Sequence, residues 1–320
     1  MFQALVSNAG RWFQDLNRSL LGSRVPLPEA LPLSPPGPGK YQPLKRVTLT
    51  DEVGRTLFEE YDAHRRGNRG DEETGWVLLG LRESNEAIVL ATLPAGAESN
   101  SGVAHVHFNS SAQAMGSRIV RQADRRLTIL GVVHTHPGTL RHPSDGDFRG
   151  DSVWVGQLRG KEGVFGIGTV ESKAANGSLF ARQPRPHMQC LGDMCLCWYG
   201  LRQGERNYRP LPYNLTLGPD LARPLHQVWA EIEAHAEQLD RIYRQQAGVT
   251  FEVISGNHGP ALAMQVPLAE PGDGVCVHLA GDEVSYFVQR KGELLAADSQ
   301  EKRVDRGLYL LLAELAVPSG

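Results

Sequence analysis

Between residues 131 and 147 the chain reads Gly-Val-Val-His-Thr-His-Pro-Gly-Thr-Leu-Arg-His-Pro-Ser-Asp-Gly-Asp. His134 and His136 stand two apart, and ten residues separate the second from Asp147, with Ser144 three positions before that aspartate. Residues 127–133 are apolar and β-branched enough for a buried strand that ends at the first histidine. Residues two apart on a strand share a face, so both imidazoles can aim at one point. Pro137 stops the strand because it has no N–H for the ladder. Two imidazoles and a carboxylate suit a zinc ion that keeps a fourth position for water, the arrangement of a hydrolytic rather than a structural site. A plainer reading accounts for part of the pattern, since Ser144-x-x-Asp147 is also a helix N-terminal capping box. One turn can both open a helix and present a ligand. A second pair, His105-x-His107, acts as an internal control: the position that matches Asp147 is Arg118, so that pair reads as structural.

His-Thr-His-Pro followed by Ser-x-x-Asp resembles the motif of the JAMM (MPN+) metalloproteases, a family that includes deubiquitinating isopeptidases. The family also places a glutamate just before a hydrophobic strand, and Glu73-Thr-Gly-Trp-Val-Leu-Leu-Gly80 matches it, with Glu72 as the adjacent alternative. The resemblance covers about residues 45–185, the size of one domain. It implies an MPN core, a zinc held by His134, His136 and Asp147, and catalytic roles for Glu73 and Ser144. The residue types agree with those roles. Zinc brings the pKa of bound water from near 16 to about 7. A carboxylate can carry the proton to the leaving amine, and a serine hydroxyl can donate to the developing oxyanion. No Gly-x-Ser-x-Gly elbow surrounds Ser144, which argues against a serine nucleophile.

The remaining composition narrows the function classes. Among 320 residues, 33 are basic and 36 acidic, a net charge of −3, so no electrostatic footprint for nucleic acid is present. No apolar run reaches the roughly 20 residues that span a bilayer, and the N-terminus does not read as a secretory signal. Four cysteines do not make a disulfide scaffold, and a cytoplasmic location is expected. Three of them fall in His187-x2-Cys190-x4-Cys195-x-Cys197, a second candidate ligand set for a structural zinc such as some JAMM relatives carry. The spacing lacks a Cys-x2-Cys knuckle, and buried thiols are the simpler reading.

The elements that must position these residues follow from periodicity. Residues 1–21 predict an amphipathic helix, and the proline-rich stretch 22–44 a stiff linker. Within 45–185, strands are expected at 47–49, 88–93 and 163–170, and helices after Thr50 or Asp51, over 110–126 and from Ser144. Their alternation predicts an α/β fold, a mixed sheet flanked by helices. Residues 186–224 read as an irregular cysteine-containing connector. A long helix over 225–247 and short strands in 249–300 with a final helix at 305–316 predict a smaller C-terminal α+β module. The expected activity is hydrolysis of peptide or isopeptide bonds after the tail of a ubiquitin-like protein, with that protein or its conjugates and E1-like and E2-like enzymes as partners. A peptidase for a sulfur-carrier or another peptide, and a non-catalytic MPN scaffold, are the alternatives.

Overall fold

The computed structural model describes residues 41–96, 108–170, 181–256 and 259–316, which build two sheets. β1 (Arg46–Thr50) runs into α1 (Asp51–Arg66), whose first turn is capped by the Thr50 hydroxyl accepting from the Val53 amide. β2 (Gly75–Arg82), β3 (Glu86–Pro94), α2 (Ser110–Val120), β4 (Thr128–Thr135), α3 (Asp145–Trp154) and β5 (Glu162–Val170) follow. Next come β6 (Arg182–Arg185), β7 (Met188–Leu191), β8 (Met194–Arg202), β9 (Arg209–Pro210) and β10 (Tyr213–Thr216). After the short α4 (Arg223–His226) and the longer α5 (Trp229–Gln245), a second sheet forms. Its strands are β11 (Thr250–Gly256), β12 (Gly259–Pro267), β13 (Gly274–Ala280), β14 (Glu283–Arg290) and β15 (Glu293–Ala296), and α6 (Val304–Ala316) closes the described chain.

The large sheet has the order β10-β1-β3-β2-β4-β5-β8-β7-β6, with β9 added beside β8. Parallel pairs (β1 with β10, β1 with β3, β4 with β5) mix with antiparallel ones. The fold is mixed α/β, a curled mixed sheet flanked by helices with a second small sheet, and it is consistent with an MPN fold. Alternation along β2 shows how the helices cover it. Trp76 and Leu78 pack with Val53, Leu57 and Phe58 of α1, whereas Val77 and Leu79 belong to the core that holds Met115 of α2 and Ile232 of α5. β4 lies between β2 and β5 and is buried on both faces, so its sequence is nearly continuous apolar rather than alternating. At Gly131 an added Cβ would collide with the Val164 carbonyl of β5, which is why glycine interrupts this run.

Two buried polar networks tie distant segments to this frame. The Glu162 carboxylate accepts from the Leu44 amide (2.9 Å), from Arg82 (3.1 Å) and from Arg209. His226 of α4 faces Glu60 Oε1 of α1 at 2.5 Å through Nδ1 and the Thr92 carbonyl of β3 at 2.6 Å through Nε2. Both ring nitrogens thus meet acceptors, and the imidazolium satisfies both. Burial pulls the His226 pKa down, but Glu60 and the Thr92 carbonyl prevail and raise it; the Glu60 pKa is lowered in return.

The structure departs from the sequence expectations in three places. Residues 186–224 are not irregular. They supply β7 to β10, and β8 pairs along the whole of β5, from Glu162 opposite Arg202 to Val170 opposite Met194. The helix expected over 110–126 stops at Val120, where Ala123 and Leu127 amides turn back onto the Val120 and Asp124 carbonyls. The helix expected over 225–247 is divided into α4 and α5. Arg118, the control position, is a buried residue of α2 that pairs with Asp240 of α5. The expected helix at 1–21, the linker as far as residue 40, and His105 and His107 lie outside the described residues. Among the described residues no helix is long and apolar enough to cross a membrane.

Candidate metal centre

β4 delivers His134, and His136 follows one residue past its end on the same alternation. His134 lies opposite Gly75 of β2 and Ile167 of β5, and the His136 amide continues the edge by donating to the Gly168 carbonyl at 2.8 Å. α3 brings in Asp147. Its capping box is complete: the Asp147 amide donates to Ser144 Oγ (3.2 Å), while Asp147 Oδ2 accepts from the Ser144 amide (2.6 Å). The Ser144 hydroxyl also donates to Asp147 Oδ2, at 2.7 Å. Capping and presentation of the carboxylate are therefore the same local structure.

The three donors form a small triangle. His134 Nε2 and His136 Nε2 are 3.0 Å apart, and Asp147 Oδ1 and Oδ2 each lie 3.5 Å from one of them. A tetrahedral ion with bonds of about 2.05 Å separates its donors by about 3.3 Å. The histidine pair is slightly closer than that, and each carboxylate oxygen slightly farther from its own histidine. Two imidazole nitrogens facing one another with lone pairs would repel, and a cation between them removes the conflict. His136 is already in the required tautomer, because its Nδ1 donates to the Leu140 carbonyl at 2.9 Å and leaves Nε2 to ligate. Both histidines are buried and Asp147 is partly exposed, so one side of the triangle opens to solvent. Among the described residues, these three are the one group of three whose candidate ligand atoms all fall within 4.8 Å. A metal ion fits them.

Electrostatics favour paired charges here. Burial works to raise the Asp147 pKa, but the two histidines and Ser144 hold it well below the usual carboxylate range. Burial likewise works against a charged His134, yet Asp147, Glu73 and Asp151 raise its pKa. Proton and metal compete for the same nitrogen, so the acidic surround that favours one also favours the other.

Glu73 is buried just ahead of β2. Its neighbour Thr74 is stitched to the histidine strand: the Thr135 amide donates to the Thr74 carbonyl (2.8 Å) and the Thr74 amide to Thr135 Oγ1 (3.0 Å). Glu73 is thereby held beside His134, on which its charge acts, although it is not part of the donor triangle. Glu72 instead pairs with Arg69 (2.6 Å). That placement supports Glu73 over its neighbour.

Two features of the site depend on partners distant along the chain. Asp151, one turn beyond Asp147 on α3, is buried and receives the Tyr208 hydroxyl at 2.6 Å; burial pushes its pKa up to about 7. Its spacing of four from Asp147 was a legible signal, but Tyr208 lies far along the chain. The loop after His136 is pinned by Tyr199, whose hydroxyl donates to the Arg141 carbonyl at 2.6 Å, and it turns at Gly138 with φ of 109°.

The second candidate ligand set does not assemble in the same way. Cys190 and Cys195 are directly opposed on β7 and β8, their Sγ atoms 3.2 Å apart, and Cys197 Sγ is 3.7 Å from Cys195. All three are buried in the core, whereas His187 lies at the β6–β7 turn with its ring against Tyr199. With His187 these thiols form no further group within the ligand-atom distance that the His134 centre meets.

Residues 55–181 match the family described as prokaryotic homologs of the JAB domain. The match supports the JAB/MPN family for this domain. It spans Glu73, His134, His136, Ser144 and Asp147 and ends where β6 begins. The JAB family includes metallopeptidases. Among solved structures, the solution structure of protein DSY2949 from Desulfitobacterium hafniense is similar at 16% identity over 54% of this chain and 95% of that chain. The TM-score of that likeness is 0.35. No curated protein matches this chain.

Proposed function

We propose that the JAB-like domain is a zinc-dependent peptidase that hydrolyses the amide or isopeptide bond following the tail of a ubiquitin-like protein. The observation that carries the chemistry is the His134–His136–Asp147 triangle with a buried glutamate held beside it. The substrate class rests on the motif resemblance and on the family match. Zinc held by those three side chains would supply positive charge for a carbonyl oxygen and a water that ionises near neutral pH. Glu73 takes the proton of the attacking water and returns it to the leaving amine. Ser144 has a single hydroxyl proton, directed in the structure at Asp147. Its first task is therefore to orient Asp147. Donation to the oxyanion requires the hydroxyl to turn from that carboxylate as negative charge develops on the substrate. Ubiquitin-like proteins, with the E1-like and E2-like enzymes that handle them, are the proposed partners.

Elemental analysis together with turnover of a panel of ubiquitin-like fusions tests this reading. One zinc per chain and cleavage at the tail are expected. A chain that takes up zinc and cleaves none of the panel would refute the ubiquitin-like substrate, leaving a peptidase for another peptide or a binding scaffold.

A further inference from the structure

Beside the metal centre the surface opens into a cavity of about 380 Å³ whose lining includes Arg141, Arg182, Gln183, Arg185, Met188 and Cys190. All three arginines are exposed, and no lining residue is acidic. Asp193, on the turn that joins β7 to β8, is paired with Arg65 at 2.5 Å. Three guanidinium groups around one concavity in a chain of net charge −3 are a local reversal of sign. The cavity is joined to the metal centre by a short loop. Arg141 lies between His136 and Ser144, its carbonyl held by Tyr199 and the neighbouring Leu140 carbonyl held by His136. Arg182, Gln183 and Arg185 belong to β6, the edge of the large sheet, where an extended chain can lie alongside the backbone.

We propose that Arg141, Arg182 and Arg185 form a subsite for a carboxylate-rich polypeptide segment that lies next to the bond being cut. Guanidinium groups pair with carboxylates through parallel hydrogen bonds. Met188 and Cys190 offer an apolar floor to the methylenes of a glutamate, which a sugar–phosphate chain would leave unused. The position of the subsite relative to a scissile bond rests on the peptidase reading, but its binding does not depend on turnover.

The test is fluorescence anisotropy of the full-length, metal-loaded protein with a labelled glutamate-rich peptide and its glutamine-for-glutamate counterpart. The glutamate peptide is expected to bind at least about tenfold more tightly, as several favourable charge pairs sum. Raising salt from about 0.1 M to about 1 M shortens the screening length from roughly 10 Å to 3 Å and should remove the difference. The Arg182→Glu/Arg185→Glu variant should lose the preference while its metal content and circular dichroism stay unchanged, since both side chains are exposed on an edge strand. Equal binding of the two peptides would overturn the proposal, as would an unaltered preference in the variant. An oligothymidylate that binds more tightly than the glutamate peptide would overturn it as well, in favour of nucleic acid. Glutamate-dependent binding without cleavage of any ubiquitin-like fusion would keep the arginine subsite and remove the ubiquitin-like peptidase reading.

Discussion

Replacing Glu73 by glutamine separates metal binding from proton transfer. The side chain keeps its size and a carbonyl acceptor but cannot take up a proton. Glu73 stands outside the donor triangle, so His134, His136 and Asp147 retain their mutual distances of 3.0–3.5 Å and metal occupancy should remain near one per chain. The Thr74–Thr135 hydrogen bonds, made by the adjacent residue, keep the segment in register with β4. What is lost is general-base catalysis, worth about 10²–10⁴ in rate. At about 1.36 kcal/mol per decade this adds roughly 2.7–5.4 kcal/mol to the barrier. Glu72→Gln is the matched control, because it weakens a partly exposed pair with Arg69, a kind of pair that contributes about 0–1 kcal/mol. The assay is single-turnover cleavage of a ubiquitin-like fusion by wild type and both variants, with elemental analysis of the same samples. Near-normal cleavage by Glu73→Gln with a collapse in Glu72→Gln would mean that the strand register is shifted by one. If both variants cleave normally, neither glutamate is the base, and the mechanism proposed above is refuted.

His134→Ala and Asp147→Ala each reduce three protein ligands to two and should empty the centre in an elemental assay, whereas Cys195→Ser should leave the metal count unchanged. Glu162→Ala strips the partner from a fully buried Arg82 and should destabilise the fold by about 3–5 kcal/mol in urea titration; a loss under about 1 kcal/mol would show that Arg82 is solvated in the variant. The raised His226 pKa makes its contribution complete below the unfolded value of about 6.5 and loses it as pH rises through the folded value. The lowered Glu60 pKa adds stability above an unfolded value of about 4.3, lost only in stronger acid. The fall in Tm on His226→Gln should therefore be largest at about pH 5.5–6, below the unfolded value, and shrink as pH rises through the folded value; a pH-independent fall would mean that the ring is neutral in the folded protein.

Short-range pattern brought the candidate donor group into view. The apolar run that ends at His134, the alternation that sets His136 on the same face, and the Ser144–Asp147 turn are each decided within a few residues. The structure places them accordingly, even to one turn that both caps α3 and turns the Asp147 carboxylate toward the histidines. The cap at Thr50 or Asp51 likewise located the start of α1, and amphipathic periodicity the body of α5 and α6. Long-range pairing was not legible. β8 is a run of buried residues, Met-Cys-Leu-Cys-Trp-Tyr-Gly-Leu, before Arg202, but its cysteines suggest ligands and its Pro-, Gly- and Arg-rich surroundings suggest a connector; its partner strands β5 and β7 make it a sheet interior. The same pairing turns Cys190 and Cys195 into cross-strand neighbours in the core. Between Glu72 and Glu73 the local sequence favours the residue that continues the strand pattern. What buries one and leaves the other to Arg69 is the hydrogen bonding of Thr74 to Thr135, a contact across sixty-one positions. Side-chain periodicity is a property of neighbours along the chain, whereas which strand lies beside which depends on how whole apolar faces are matched in space.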